Sequence, residues 1–291
     1  MNATQEQPVQ AVHLDTAAPV QPFLKWAGGK RQLLPFLNKY LPAAYNTYYE
    51  PFVGAGAFLF NQQPAKAIIN DVNPELINCY RVIKDLSTDL LVDLQKHSNS
   101  KEHFYKIREL DRDEKFGQLS PVERASRIIY LNKTCFNGLF RVNKRGQFNV
   151  PFGRYKNPNI VNADIIQSIS RYLNDNHITI LNTDFAKAVE TAQRGDFIYF
   201  DPPYDPLSDT SSFTGYSLTQ FGKAEQERLR DVFDALTRKG CFVMLSNSST
   251  GFIAGLYADY NIISVQASRN INSVVAGRQK IDEFLVLNYT P

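Results

Sequence analysis

The chain has 291 residues, 43% of them hydrophobic and 21% charged, which excludes a disordered or fibrous protein and allows one large domain or two modest ones. No run approaches the roughly 18 uninterrupted apolar residues that a membrane span needs. Net charge is 32 − 29 = +3, too small to announce a nucleic-acid partner, so the placement of charge matters more than its sum.

Residues 1–21 are polar, carry no Lys or Arg, and lack the basic start and apolar run of a secretion signal. They are expected to form a flexible tail. Cys79, Cys135 and Cys241 lie far apart, which fits neither a disulfide framework nor a zinc site and suits a reducing cytoplasm. The segment Phe23-Leu24-Lys25-Trp26-Ala27-Gly28-Gly29-Lys30 follows, with the single tryptophan. Trp26 suits packing on a sulfonium or an adenine, and Lys30 suits a carboxylate. A core Trp and a surface Lys are equally good readings.

Next come Glu50-Pro51-Phe52-Val53-Gly54-Ala55-Gly56, an apolar strand over 66–70, and Asp71. Glycines after a first strand let the backbone approach a cofactor, and an acid closing the next strand can grip a ribose diol. Leu59 stands where a dinucleotide fingerprint has its third small residue, so a nucleoside cofactor without a pyrophosphate, such as S-adenosylmethionine, fits better than a nicotinamide dinucleotide.

Helical spacing marks 75–94 and 121–133. From Arg124 to Ala163 there is no acid, although 29 acids in 291 residues would put about four there. This window holds Arg124, Arg127, Lys133, Arg141, Lys144, Arg145, Arg154 and Lys156, interleaved with Tyr130, Phe136, Phe140, Phe148, Phe152 and Tyr155. Cations between flat rings suit a surface that neutralises phosphates and stacks on bases. A solvated basic face with a few core aromatics is the alternative. Segments 136–141 and 147–152 flank Asn143-Lys144-Arg145-Gly146, which suits a hairpin turn.

Further strands are expected over 178–182, 197–200, 241–246, 262–266 and 284–288. Together they make an α/β fold with a mostly parallel sheet, in which 73–162 is an insertion between 22–72 and 163–291. The strand at 197–200 runs into Asp201-Pro202-Pro203-Tyr204, at the strand end where such sheets collect ligands. Asp201 and the Pro202 carbonyl can accept both hydrogens of a planar amine, and Tyr204 can stack on the heterocycle that bears it. The polar stretch 205–222 is long enough for a mobile lid that orders on a ligand, and a well-packed surface loop is an equally good reading. His13, His97, His103 and His177 show no ligand spacing and are expected at the surface or as caps, with no metal.

In this order, Lys25-Trp26-x-Gly-Gly-Lys30, Glu50-Pro-Phe52-x-Gly54-x-Gly56, Asp71 and Asp201-Pro-Pro-Tyr204 resemble the Dam-type adenine-N6 DNA methyltransferases. Phe136-Asn137-Gly138-Leu139-Phe140-Arg141 and Phe148-Asn149-Val150-Pro151-Phe152-Gly153-Arg154-Tyr155 resemble that family's target-recognition hairpin. The resemblance spans 22–291 and is nearest to GATC methylases of restriction–modification systems. It implies a Rossmann-like S-adenosylmethionine-dependent sheet with an inserted helical and β-hairpin target-recognition domain.

It also implies roles. Trp26, Lys30, Phe52, Gly54, Gly56, Asp71, Asp184 and Asp201 are expected at the cofactor, and Asp201, Pro202 and Tyr204 at a flipped adenine. Arg141 is expected to read a guanine, Lys25 a base and Leu139 and Pro151 thymine methyls, with Asn137, Arg154 and Tyr155 on the same face. Phe136 is expected to wedge into the duplex, where other members carry Tyr. The expected partner is double-stranded DNA, met by a monomer, either beside a cognate restriction endonuclease that shares the site without direct contact or as an orphan methylase without one. A protein-amide methyltransferase and a non-catalytic DNA-binding module are the rival readings.

Overall fold

A computed structural model describes residues 19–26, 28, 30, 32–206, 221–268 and 280–291. In chain order, α1 (Leu34–Lys39), β1 (Tyr48–Glu50), α2 (Ala57–Gln62) and β2 (Lys66–Asn70) come first. They are followed by α3 (Pro74–Asp85), α4 (Ser87–Leu94), α5 (Lys101–Glu109), α6 (Pro121–Thr134) and α7 (Ala163–Asp175). The remainder is β3 (His177–Leu181), α8 (Phe185–Ala188), β4 (Phe197–Phe200), α9 (Lys223–Lys239), β5 (Phe242–Ser248), α10 (Gly251–Leu256), β6 (Asn261–Ser268) and β7 (Lys280–Leu287).

The strands form one sheet in the order β3-β2-β1-β4-β5-β7-β6. All pairs are parallel except those of β7, which runs antiparallel to β5 and β6. Alternate side chains of a strand point to opposite faces, and both faces here are covered. Tyr48, Phe197, Tyr199 and Met244 pack into one buried cluster, and Tyr49, Ile198, Phe200, Val243 and Leu245 into the other. The chain reverses direction across the sheet between β1 and β4, so the carboxyl ends of those two strands border the crevice where open α/β sheets bind ligands.

The span 75–94, which has helical spacing, holds two helices, because Leu86 leaves helical geometry at φ −136°. Asn73 caps α3 by accepting from the Glu75 and Leu76 amides, with Pro74 in the first turn. Ser120 and Glu123 form a reciprocal cap on α6. Leu76, Ile77 and Tyr80 of α3 and Ile128, Ile129 and Leu131 of α6 share a cluster with sheet residues Tyr48 and Phe197. Residues 73–162 are therefore welded to one face of the sheet rather than built around a separate core. Of the expected tail, residues 1–18 lie outside the described residues, while Val20 packs on this same cluster.

The hairpin differs from its expectation. Its ladder is reduced to two isolated antiparallel bridges, Cys135 to Phe152 and Val142 to Phe148. Phe136–Gly138 form a single 3-10 turn with Asn137 at φ 56°, and Pro151 has no amide to donate, so a regular ladder cannot propagate. The tip is as expected. Gly146 sits at φ 77°, and the Asn143 carboxamide oxygen accepts from the Arg145 and Gln147 amides at 2.9 and 3.0 Å.

Candidate active site

Asp201 directly follows β4. Its Oδ1 meets Lys30 Nζ at 2.8 Å and accepts from Ser246 Oγ at 2.9 Å. Ser246 lies within 3.0 Å of the Tyr199 hydroxyl. Lys30 also donates to the Gly28 carbonyl at 2.9 Å, and its ammonium stands 4.3 Å from the Tyr204 ring centre. The Tyr204 hydroxyl donates to Glu283 Oε2 at 2.9 Å.

Lys30 and Glu283 are buried, each 7% exposed, and Asp201 is half-buried. Burial pushes the Asp201 carboxyl above the usual range, with Lys30 and Ser246 pulling it back. Burial opposes the Lys30 ammonium, but Asp201, supported by Tyr199 and Glu283, outweighs it and raises its pKa. Lys30 thus stays cationic and opposes protonation of Asp201. Among the described residues, Asp201 Oδ2 and the Pro202 carbonyl accept no hydrogen bond, and they are the pair suited to an incoming amine.

The turn itself is held from behind. Gln226 donates to the Pro203 carbonyl, Asn247 accepts from the Asp205 amide, and Ser248 donates to the Asp205 carbonyl. Asp205 is therefore fixed rather than part of a lid. Residues 207–220 of the expected lid lie outside the described residues.

Across the crevice, Gly54 and Gly56 adopt φ 50° and 73°, a region open to glycine without steric cost. A Cβ on Gly56 would lie 2.6 Å from the Tyr80 hydroxyl, and one on Gly54 would lie 3.1 Å from Trp26 Cδ1. Asp71 receives the Gly54 amide at 3.2 Å and the Asn73 amide at 2.9 Å. Burial lifts its pKa to about 6, against those bonds. Phe52 faces Phe185 and Phe221 at centroid distances of 5.3 and 5.7 Å, an aromatic wall for a planar base. Asp184 is turned elsewhere: it caps α8 and meets Arg228 Nη2 at 2.6 Å. A glycine cradle, an acid, an aromatic wall and a buried ammonium fit an amino-acid-bearing nucleoside such as S-adenosylmethionine.

Sequence reasoning missed Ser246, Glu283, Phe221 and Asn70. The fully buried Asn70 donates to the Pro51 and Thr183 carbonyls at 3.0 Å each, joining the ends of β1, β2 and β3. The signal was a polar residue closing an apolar strand, the same one that marked Asp201.

The hairpin carries the other expected residues. Phe136 is 52% exposed, and Asn137, Arg141, Lys144, Arg145, Pro151, Arg154 and Lys156 are exposed. Arg141 Nε donates to Asn149 Oδ1 at 2.7 Å. Lys25 lies with its ammonium 5.5 Å from the Tyr155 ring centre, and Leu139 and Tyr155 are half-buried. Phe140 and Phe148 are core residues, and Trp26 stacks on Phe140 at 4.8 Å. Lys133, expected at phosphates, is half-buried; burial and the nearby Lys25 lower its pKa. Arg124 and Arg127 are consumed internally by Glu75 and Asp111. His97, expected at the surface or as a cap, is half-buried, shares a ring-nitrogen hydrogen bond of 3.0 Å with His103 and stacks on Tyr130.

A parallel sheet with an antiparallel penultimate strand, and with its crevice lined in this way, defines a Rossmann-like methyltransferase. The model of the D12 class N6 adenine-specific DNA methyltransferases matches residues 26–271, and the chain belongs to that family. It is 53% identical over 272 residues to the type II methyltransferase M1.LlaDCHI of Lactococcus lactis subsp. cremoris, covering 93% of this chain and 96% of that protein. It is 41% identical over 290 residues to the type II methyltransferase M.MjaIII of Methanocaldococcus jannaschii, covering 93% and 99%. Identity to the DNA adenine methylase of Escherichia coli K12 is 35% over 274 residues, covering 92% and 95%. The reaction is therefore adenine-N6 methylation of DNA.

Proposed function

We propose that this chain methylates N6 of an adenine extruded from double-stranded DNA at GATC, with S-adenosylmethionine as donor. The observation that carries the reading is the Lys30–Asp201–Ser246 cluster at the end of β4. It leaves Asp201 Oδ2 and the Pro202 carbonyl without partners among the described residues, beside the ring of Tyr204. The cofactor supplies an electrophilic methyl carbon when bound. Trp26, Lys30, Phe52, Gly54, Gly56 and Asp71 hold it, and Asp184 serves through the backbone of the turn it caps.

Taking the adenine out of the stack costs a few kcal/mol, and Phe136 fills the gap. Asp201 Oδ2 and the Pro202 carbonyl accept the two amine hydrogens and turn the nitrogen lone pair towards the electrophile, while Tyr204 holds the ring. A carboxylate held ionised by Lys30 accepts without donating, which fits an NH2 group and opposes a carbonyl there. The extra proton then leaves to solvent.

On the outer face, Arg141 reads a guanine, Lys25 a base, and Leu139 and Pro151 thymine methyls, with Asn137, Arg154 and Tyr155 beside them. Lys144, Arg145 and Lys156 meet phosphates. In this reading residues 73–162 form the target-recognition part and 22–72 with 163–291 the catalytic part. The enzyme acts as a cytoplasmic monomer and protects GATC against an endonuclease with which it makes no contact. Among the described residues no helix is long and apolar enough to cross a membrane.

The test is transfer of labelled methyl from S-adenosylmethionine to duplex DNA, with the modified base mapped. Label in N6-methyladenine within GATC is expected. Label at unrelated adenines would overturn the target, and label absent from DNA would overturn the reading.

A further inference from the structure

The side chain of Asn132, at the end of α6, is buried at 1% exposure, yet it makes no bond within its own helix. Its Oδ1 accepts from the Lys25 amide at 2.9 Å. Its Nδ2 donates to the Lys25 carbonyl at 2.8 Å and to the Gly138 carbonyl at 2.8 Å. A carboxamide can make about four hydrogen bonds, and three of them here go to the main chain of two segments, one 107 positions away and one six positions on.

Each segment carries one half of the outer face. Lys25 precedes Trp26, which stacks on Phe140 and covers Gly54. Gly138 ends the turn that presents Phe136 and Asn137. Among the described residues no backbone hydrogen bond joins these two segments; the Asn132 side chain supplies the link. The approach is close enough that a Cβ on Gly138 would strike the Lys25 side chain.

We propose that Asn132 is a positioning residue for target recognition: it sets the register of Lys25 against the Phe136 turn, and so decides whether base contact and wedge insertion happen together. This deepens the GATC reading above and rests on it. Asn132 touches neither DNA nor cofactor. Its effect travels through two backbones, so it should appear in discrimination and base extrusion, not in cofactor binding.

The variant that tests this is Asn132→Asp in the full chain. It keeps the size and the acceptor for the Lys25 amide, but places an oxygen against the two carbonyls that Nδ2 now satisfies. The substrates are a GATC duplex with 2-aminopurine at the target adenine, for extrusion, and unlabelled duplexes with GATC or single-base variants of it, for turnover. The expected result is a fall of about tenfold or more in the ratio of kcat/KM for GATC over its variants. The fluorescence rise on DNA binding should fall too, while affinity for S-adenosylmethionine stays within about threefold. An equally selective, equally fluorescent complex would overturn the proposal, as would a loss of cofactor affinity that accounts for the whole defect. If the aspartate variant does not fold, Gly138→Ala strains the same joint from the turn. Its φ of +65° and the Lys25 contact oppose a Cβ, and the same loss of selectivity is expected; normal selectivity would overturn the proposal. Wild-type enzyme that places no methyl in GATC refutes the parent reading, whereas an active wild type with selective variants refutes only the role of Asn132.

Discussion

Two sets of cations on one acid-free stretch of chain behave in opposite ways. On α6, Arg127 is 3% exposed, donates to the Ile107 and Arg108 carbonyls at 2.9 and 2.8 Å, and meets Asp111 at 2.7 Å. Asp111 in turn accepts from the Phe148 amide at 2.7 Å, so this ion pair anchors the base of the hairpin. Arg141, Lys144 and Arg145 stand exposed at its outer end. Arg141 has its Nε fixed by Asn149, and no carboxylate is among its bonds in the described structure. Cations paired inside give a surface its shape; cations left without acids give it positive charge on its outer face.

The contrast can be broken by substitution, and the largest effect is expected at Arg127. Arg127→Ala strips the guanidinium from the Ile107 and Arg108 carbonyls and leaves Asp111 with Arg112, 2.7 Å away, as its remaining cation, and should cost about 2–4 kcal/mol of stability. The salt dependence of DNA binding by the folded fraction should not change. Denaturant melts and binding titrations check both, and a stability loss below about 1 kcal/mol would place Arg127 with the exposed set.

Arg141→Ala should do the reverse, leaving the melt unchanged and removing about 1–3 kcal/mol of discrimination at one G:C pair. Competition among single-base variants of GATC reads this out. Equal discrimination everywhere would remove Arg141 from base reading.

Lys30 sharpens the comparison, being paired and buried like Arg127 but against the reactive carboxylate. Asp201 is already raised by burial, and Lys30 counters that rise. Lys30→Gln should therefore raise it further. Because protonated Asp201 loses an acceptor, the acidic limb of activity should move to higher pH. A limb that stays put or moves down would contradict the pairing. The smallest effect is expected at Lys144. Lys144→Ala should weaken binding evenly across sequences and reduce the salt slope by about 1.

Much of this was legible in the sequence, unevenly. Strands β2 and β4 lie where their apolar runs put them, because strands buried on both faces read as continuous hydrophobic runs. Strand β1, three residues long, is too short for such a run and was marked only by the glycines after it. Asp201-Pro-Pro-Tyr204 was visible as local chemistry, whereas Ser246 and Glu283 complete its cluster from strands 45 or more positions away, where no local pattern reaches. Charge counting could not separate Arg127 from Arg141. The difference lies in Asp111, a carboxylate outside the acid-free window that folding brings to 2.7 Å.

The central claim is that the Asp201 carboxylate presents the target amine. Its most direct test is single-turnover methyl transfer by Asp201→Ala on saturating GATC duplex, with DNA affinity measured in parallel. The account predicts loss of at least about a thousandfold in rate, in the range expected when positioning is lost, with DNA affinity largely retained. A variant that still transfers methyl groups at near-normal rate would contradict it.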